Sequence, residues 1–263
     1  ALALAGFAVY KLLVSDIFGD YFGQLDDSQI AIIEEIGSTE IAYQACQSMG
    51  TTIRPLAILA DPGFCYLKLQ IEAPEGRVLN LPEKGYYQIA SPDDDTETLS
   101  FDGDFGGYEI ALDWLDERPG DAQLELVIRI SIQYLRHLDF PQGRPESLKI
   151  HNIWLEDEND AYSVILEGQW EFDLGQYFVD YTELSVKGLT AAASDGASLT
   201  LQDMVLSPLG LGWYYTIEGG EGPMASRPEE FCVVMKDGSI AALELSGSTE
   251  GSTMFSGHAR FRQ

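Results

Sequence analysis

The chain has 263 residues, of which 43 are acidic and 15 basic, giving a formal net charge of −28 at neutral pH. A surface this anionic repels phosphate backbones and acidic headgroups, which argues against nucleic-acid binding and peripheral membrane binding. The apolar content of 45% is that of a globular protein, enough for one large domain or two of ordinary size.

The chain opens on ALALAGFAVYKLLV, an apolar run broken only by Lys11. This is shorter than the roughly 20 apolar residues of a bilayer span, and no small-residue cleavage pattern follows. It reads as the end of a membrane helix or as an amphipathic helix packed on a domain. The first is preferred, so residues 1–22 are expected to be the end of a truncated membrane helix and its linker. A short helix comes next. Asp26 is a good N-cap, Gln29 completes a capping box, and Leu25 and Ile30 are spaced as a hydrophobic staple. Ile30, Ile33 and Ile36 lie close to one face, and Gly37 is read as the C′ residue. This helix is expected to lid the first domain.

Almost everything after it reads as strand. Residues 41–47 and 51–60 form an expected hairpin around Met49-Gly50, with Pro55 marking an edge or a bulge. In ADPGFCYLKLQIEAPEG, residues 60–76, Cys65, Leu67, Leu69 and Ile71 alternate with Tyr66, Lys68, Gln70 and Glu72 between two turns. That predicts a strand with one face in a core and one in water. A short strand at 86–90 precedes an acidic loop at 91–97. Tyr108, Ile110, Leu112 and Trp114 then alternate with polar or small residues. The longest alternation, Leu124 to Ile132, predicts a central strand. Residues 148–155 and 164–174 flank an acidic turn at 156–160. The first core is complete near 175–181. Strands follow at 182–189, 198–206, 211–218, 231–235, 240–245 and 254–261, with a tight Asp237-Gly238 hairpin between the fourth and fifth. The fold class is therefore mainly β: two consecutive immunoglobulin-like antiparallel β-sandwiches preceded by short helices. Residues 23–177 carry the helix and first sandwich, and 178–263 the second.

Chemistry-bearing patterns are sparse. Cys46, Cys65 and Cys232 form no disulfide framework and no zinc set; only Cys46 with Cys65 is a plausible pair, and three buried thiols are preferred. There is no G-x-S-x-G, and His137, His151 and His258 are scattered, with His137 beside Asp139 the one oriented candidate. Asp102, Asp104 and Asp113 fall at the first, third and twelfth positions of a calcium-loop pattern with Gly107 at its sixth. The fifth ligand is missing and the twelfth is Asp rather than bidentate Glu, so an acidic hairpin loop is preferred. No metal and no cofactor are expected. The acidic excess is clustered: residues 91–125 hold twelve acidic residues and one basic, and residues 150–186 hold nine and none. It is read as a solvated face, the sharper reading being cations or a basic partner. Trp213, Tyr214 and Tyr215 are adjacent, so Trp213 and Tyr215 share a strand face that is a candidate for ligand stacking.

Four strings in this order carry a resemblance: GTTIRPLAILADPGFCYLKLQIEAPEG, EGQWEFDL, LQDMVLSPLGL and VVMKDGSI, with the LDDSQIAIIEEIG helix ahead of them. Over most of residues 21–245 the chain resembles an uncharacterised extracytoplasmic domain family of Gram-positive bacterial anti-sigma-factor-like single-pass membrane proteins. The resemblance implies outer β-domains attached to the cell membrane through an N-terminal helix, and it implies no catalytic residues. The expected function is a non-catalytic extracytoplasmic sensor or binding region whose partner is an unknown protein or envelope ligand. The alternative is a secreted carbohydrate-binding module or acidic glycosidase, using Trp213 with carboxylates such as Asp102 or Glu158.

Overall fold

The structure, a computed structural model, describes residues 13–22, 27–61, 63–89, 98–101, 108–116, 119–132, 143–179, 184–186, 188–192, 196–206, 209, 211–219, 232–234, 240–246 and 254–261. Two short helices, α1 (Val14–Phe22) and α2 (Asp27–Ile36), precede an antiparallel β protein. The strands of the first sheet are β1 (Gly37–Ser38), β2 (Cys46–Ser48), β3 (Thr51–Ala60), β4 (Phe64–Glu72), β7 (Tyr108–Leu115) and β8 (Gln123–Ile132). They run in the order β1-β3-β4-β8-β7, with β2 also on β3. A second sheet has β9 (Pro145–Glu156) between β10 (Tyr162–Asp173) on one edge and β5 (Tyr86–Gln88) and β6 (Leu99–Phe101) on the other. The two sheets make a sandwich. Cys65, Leu67, Leu69 and Ile71 of β4 and Leu124, Leu126, Ile128 and Ile130 of β8 meet Leu148 and Ile150 of β9 and Trp170 and Phe172 of β10. The two-residue alternation of β4 and β8 thus places their apolar sets between the sheets, and β8 is interior, as its pattern predicts.

The other face of the first sheet is covered by the helices around Tyr66 and Lys68, while Gln70 is half-buried and Glu72 exposed. Tyr66 and Lys68 are 4% and 6% exposed. Val14 and Phe18 of α1 and Ile33 and Ile36 of α2 pack there on Ala57, Leu59, Phe64, Tyr66 and Val127. Tyrosine and lysine read as solvent-facing because of their polar tips, yet their bodies are apolar enough to lie under a helix. The molecule is therefore layered as helices, sheet, sheet over residues 14–173.

The expected strand at 41–47 is mostly a 3₁₀ turn, Glu40–Gln44, and only Cys46–Ser48 pairs. β1 pairs with Leu59 and Ile58, and β2 with Ile53, Thr52 and Thr51, on the same edge of β3. The turn carries the chain past the intervening stretch, where Pro55 has no N–H to offer and the register with β4 shifts between Pro55 and Ala57. Ile41 is driven fully into the core while Tyr43 stands out at 92% exposure. Met49 and Gly50 both have positive φ, 48° and 85°, as a two-residue hairpin demands. Gly37 does not act through positive φ. A Cβ there would meet the Ile33 carbonyl at 2.6 Å, Val14 Cγ1 at 2.7 Å and Leu59 Cδ2 at 2.8 Å. It is a point where α1, α2 and the sheet come close together.

β9 and β10 are long and irregular. Asn152 has φ 61°, its Oδ1 accepts the Gly168 N–H at 2.9 Å, and the register shifts between Leu166 and Gln169. This bulge changes which parity faces inward, from Leu148 and Ile150 to Ile153.

From residue 184 onward the strands β11 (Leu184–Val186), β12 (Leu189–Ala192), β13 (Ser198–Leu206), β14 (Leu211–Glu218), β15 (Cys232–Val234), β16 (Ile240–Ser246) and β17 (Met254–Phe261) join a third antiparallel sheet. Its order is β11-β13-β14-β17-β16-β15, with β12 also on β13. Ala197, Trp213, Tyr215 and Ile217 form its buried cluster. Among the described residues no helix is long and apolar enough to cross a membrane.

Candidate functional site

β7 is the last described strand of its sheet and β5 lies on an edge of the facing one, so the two edges bound an opening in the sandwich. An open groove of about 560 Å³ runs there. Tyr21 of α1, Leu81 and Pro82 ahead of β5, Tyr86 and Tyr87 of β5, and Asp113 and Trp114 of β7 line it. Successive residues of a strand face opposite ways, so a groove touching both Asp113 and Trp114 passes across the edge of β7. On the helix side, Asp113 Oδ2 accepts from the Tyr21 hydroxyl at 2.6 Å and from Arg129 Nε at 2.8 Å. On the inner side, Trp114 Nε1 donates to the Tyr87 carbonyl at 2.9 Å, tying one sheet edge to the other. The Tyr87 and Trp114 rings meet edge to face at 5.3 Å, and the Tyr87 hydroxyl donates to the Asn80 carbonyl at 2.6 Å. Burial, and then the charge of Asp116, push the Tyr87 phenol above its ordinary value, with Arg77 opposing.

The rim beside Tyr86 is a small polar cluster at the end of β9. Glu156 accepts hydrogen bonds from the hydroxyls of Tyr86 and Tyr162 and from Gln88 Nε2, the last at 3.3 Å. The Tyr86 bond, first, holds the Glu156 carboxyl below the usual carboxylate range; Tyr162 and Gln88 add to this and desolvation opposes it. The same carboxylate, by accepting the Tyr162 hydroxyl, leads the causes that push Tyr162 up to about 12. Gly85, at φ 81°, lies against the Glu156 carbonyl, where a Cβ has no room. Asp157 Oδ1 closes the β9–β10 turn by accepting from the Asn159 and Ala161 N–H groups at 2.7 and 3.0 Å. Glu158 makes an exposed ion pair with Lys84 at 2.7 Å. The acidic turn is thus largely a self-satisfied structure.

The residues singled out from sequence are distributed otherwise. Trp213 and Tyr215 share a face of β14, as alternation demands, but that face is core: they are 7% and 4% exposed and pack with Ala197 and Ile217. They do not present a stacking surface, because the third sheet buries its own aromatic side. Asp102, Asp104, His137 and Asp139 lie outside the described residues. Asp113 is engaged by Arg129 and Tyr21 rather than poised as a calcium ligand. No cluster of three or more His, Cys, Asp or Glu suited to a metal occurs among the described residues. His151 lies in β9, where its N–H donates to the Ile89 carbonyl at 3.3 Å. Cys46 and Cys65 are free thiols, Cys65 with its pKa raised by burial and by the charge of Asp61. The sequence signal that marks the groove is the Tyr86-Tyr87 pair after a Pro82–Gly85 turn, with Asp113-Trp114 on an edge strand. The more conspicuous Trp213-Tyr214-Tyr215 triplet outweighs it on sequence alone.

No family model and no curated protein matches this chain. A solved structure, the conserved domain protein from Bacillus anthracis, is similar to it with a TM-score of 0.60 and 12% sequence identity, covering 95% of this chain and 81% of that one. At that identity the likeness establishes a shared β architecture and nothing about activity.

Proposed function

We propose that this chain is a non-catalytic binding region, held outside the cytoplasm as part of a membrane-anchored, anti-sigma-factor-like regulatory protein, and that its ligand seat is the groove between α1, β5 and β7. The observation that carries the binding role is the state of the groove's aromatic side chains. Tyr21, Tyr87 and Trp114 each donate their one polar hydrogen to a partner inside the protein. Rings fixed in this way are a preorganised surface and lose little freedom when a ligand lands on them. α1, which follows the apolar N-terminal run, supplies one wall through Tyr21. Occupancy of the groove therefore touches the helix nearest the expected attachment. The resemblance described above supports the location. The test is fractionation of the full-length protein from cells that produce it, followed by protease added to intact cells. The expected result is recovery with membranes and cleavage from outside. A wholly soluble, cytoplasmic, protease-sheltered protein would discard the reading.

A further inference from the structure

We propose that the outer edge of β7 takes an extended segment of a partner protein as an added strand, and that this segment alternates apolar residues with lysine or arginine. The proposal rests on the groove being the ligand seat and adds the kind of ligand. Leu112, Asp113, Trp114 and Leu115, four consecutive residues, line the groove. Side chains alternate across a strand, so it is the backbone edge that offers a run of neighbours to one cavity. Gly85, Tyr86 and Tyr87 do the same for β5. Among the described residues no backbone ladder joins β5 to β7, and the Trp114 indole spans the gap instead. β7 pairs with β8 in unbroken register from Tyr108 to Leu115. Among the described residues no further backbone hydrogen bond reaches residues 110–115. Alternate N–H and C=O groups of this stretch therefore face outward with the spacing that an added strand requires.

The other described sheet edges are blunted by shortness or by bulges, two common protections against stray pairing. β1 has two residues, β2, β5, β6, β11 and β15 have three each, and β12 has four. β10 has twelve residues but breaks register twice. β7 has eight residues, with no proline and no lysine. What guards it is negative charge, from Glu109 and Asp113. That charge repels a second copy of a chain carrying −28 and admits a cationic strand. Residues 91–125, which include β7, hold twelve acidic residues and one basic. Asp113 is already paired with Arg129, so guest cations answer the field of the whole edge and not one open carboxylate. The alternation of the guest follows from the two sides of β7. Ile110, Leu112 and Trp114 pack on the core yet stay half-buried, and apolar guest side chains complete their cover. Glu109, Ala111 and Asp113 have the opposite parity, and the basic guest residues fall on their side.

The test is calorimetric titration of the full chain with a capped peptide of about eight residues, the length of β7, alternating valine with lysine. The controls are the same peptide N-methylated throughout, which keeps the charge and loses the backbone donors, and its valine–glutamate counterpart. Saturable binding is expected for the lysine peptide, weaker by on the order of tenfold or more for the N-methylated one, and absent for the glutamate one. Hydrogen exchange should slow in residues 110–115 when the lysine peptide is added, and stay unchanged in residues 162–166. Ala111 stands opposite Arg129 on β8 and is half-buried. Ala111→Glu should tighten the lysine peptide and Ala111→Lys loosen it, each by about two- to fivefold, with the melting temperature of each variant as the folding control. No saturable binding of the lysine peptide, equal binding of the N-methylated peptide, or a dimer of the free chain with residues 110–115 already protected overturns the proposal. Equal binding of the glutamate peptide with protection of residues 110–115 also overturns it but leaves the groove as ligand seat. If the lysine peptide binds and protects other strands instead of β7, the groove reading falls as well.

Discussion

Glu156 shows how a single side chain ties three strands together and gives the protein a pH signature. It ends β9 and accepts from Tyr86 and Gln88 of β5 and from Tyr162 of β10. Its folded pKa lies below its ordinary 4.5, so the stabilisation it supplies is present above that value and is lost as pH falls through the folded pKa. Tyr162 has the opposite sense: raised from 10.0 to about 12, it stabilises fully below 10 and loses this as pH rises through 12. The two shifts share one contact and do not add. The urea midpoint plotted against pH should fall on both flanks. Glu156→Gln should flatten both; an alkaline flank identical to that of the parent would remove Glu156 as the cause. Gly37 is the steric counterpart. Three atoms, among them a backbone carbonyl, lie within 2.8 Å of where a Cβ would stand, so Gly37→Ala must push α1 or α2 off the sheet. Overpacking of this kind costs about 1–3 kcal/mol, read as a lower urea midpoint.

At the scale of elements, the helices are fastened by polar contacts beneath their apolar faces. Lys68 on β4 is buried, donates to the Ile17 carbonyl of α1 at 3.1 Å and lies 2.7 Å from Glu125 Oε2 of β8. Removing one member of a buried pair strands the other, at a cost of about 3–5 kcal/mol, whereas replacing both with apolar groups is often near neutral. Lys68→Met should therefore destabilise strongly, and Lys68→Met with Glu125→Leu should recover most of the loss in denaturant titrations. If the double variant is as unstable as the single, the bond to Ile17 carries the effect and not the ion pair. Lys68 also marks where sequence reading stops. The inward set of β4 is legible because Cys65, Leu67, Leu69 and Ile71 can only face a core. The outward set misleads at Tyr66 and Lys68, though not at Glu72, because period-two patterning reports which residues share a face, not what covers that face. The interior position of β8 and the class of fold are legible for the same reason. The groove is not. It is made by strands 27 residues apart in sequence at the Tyr87–Trp114 contact, and by a helix further off again. No local pattern records which edges meet. The parity change at Asn152 is hidden too, since a bulge depends on one residue taking φ 61°.

Over the whole molecule, the first two sheets use strands only up to Asp173 and the third uses strands from Leu184 onward, so contacts bridging the two sets matter out of proportion to their number. Asp61 makes one. It is completely buried at the β3–β4 turn, where its Oδ1 accepts from the Gly63 and Phe64 N–H groups, both at 2.9 Å. Its Oδ2 accepts from the N–H of Leu209 at 3.2 Å, and Leu209 packs against the cluster beneath the helices. Next to it Val179 N–H donates to the Ala60 carbonyl at 3.2 Å. A buried carboxylate persists only where such donors replace water. Asp61→Asn separates its two jobs. The amide oxygen still serves the turn, while the amide nitrogen sets a donor against the Leu209 donor. An unsatisfied buried pairing of this kind costs about 1–3 kcal/mol. The cost should fall on the junction, not on the sandwich. Hydrogen exchange should then accelerate in residues 198–206 and 211–218 while residues 64–72 and 123–132 keep their protection. Uniform acceleration would mean that Asp61 serves the turn alone. No change anywhere would mean that the third sheet is held to the sandwich without it.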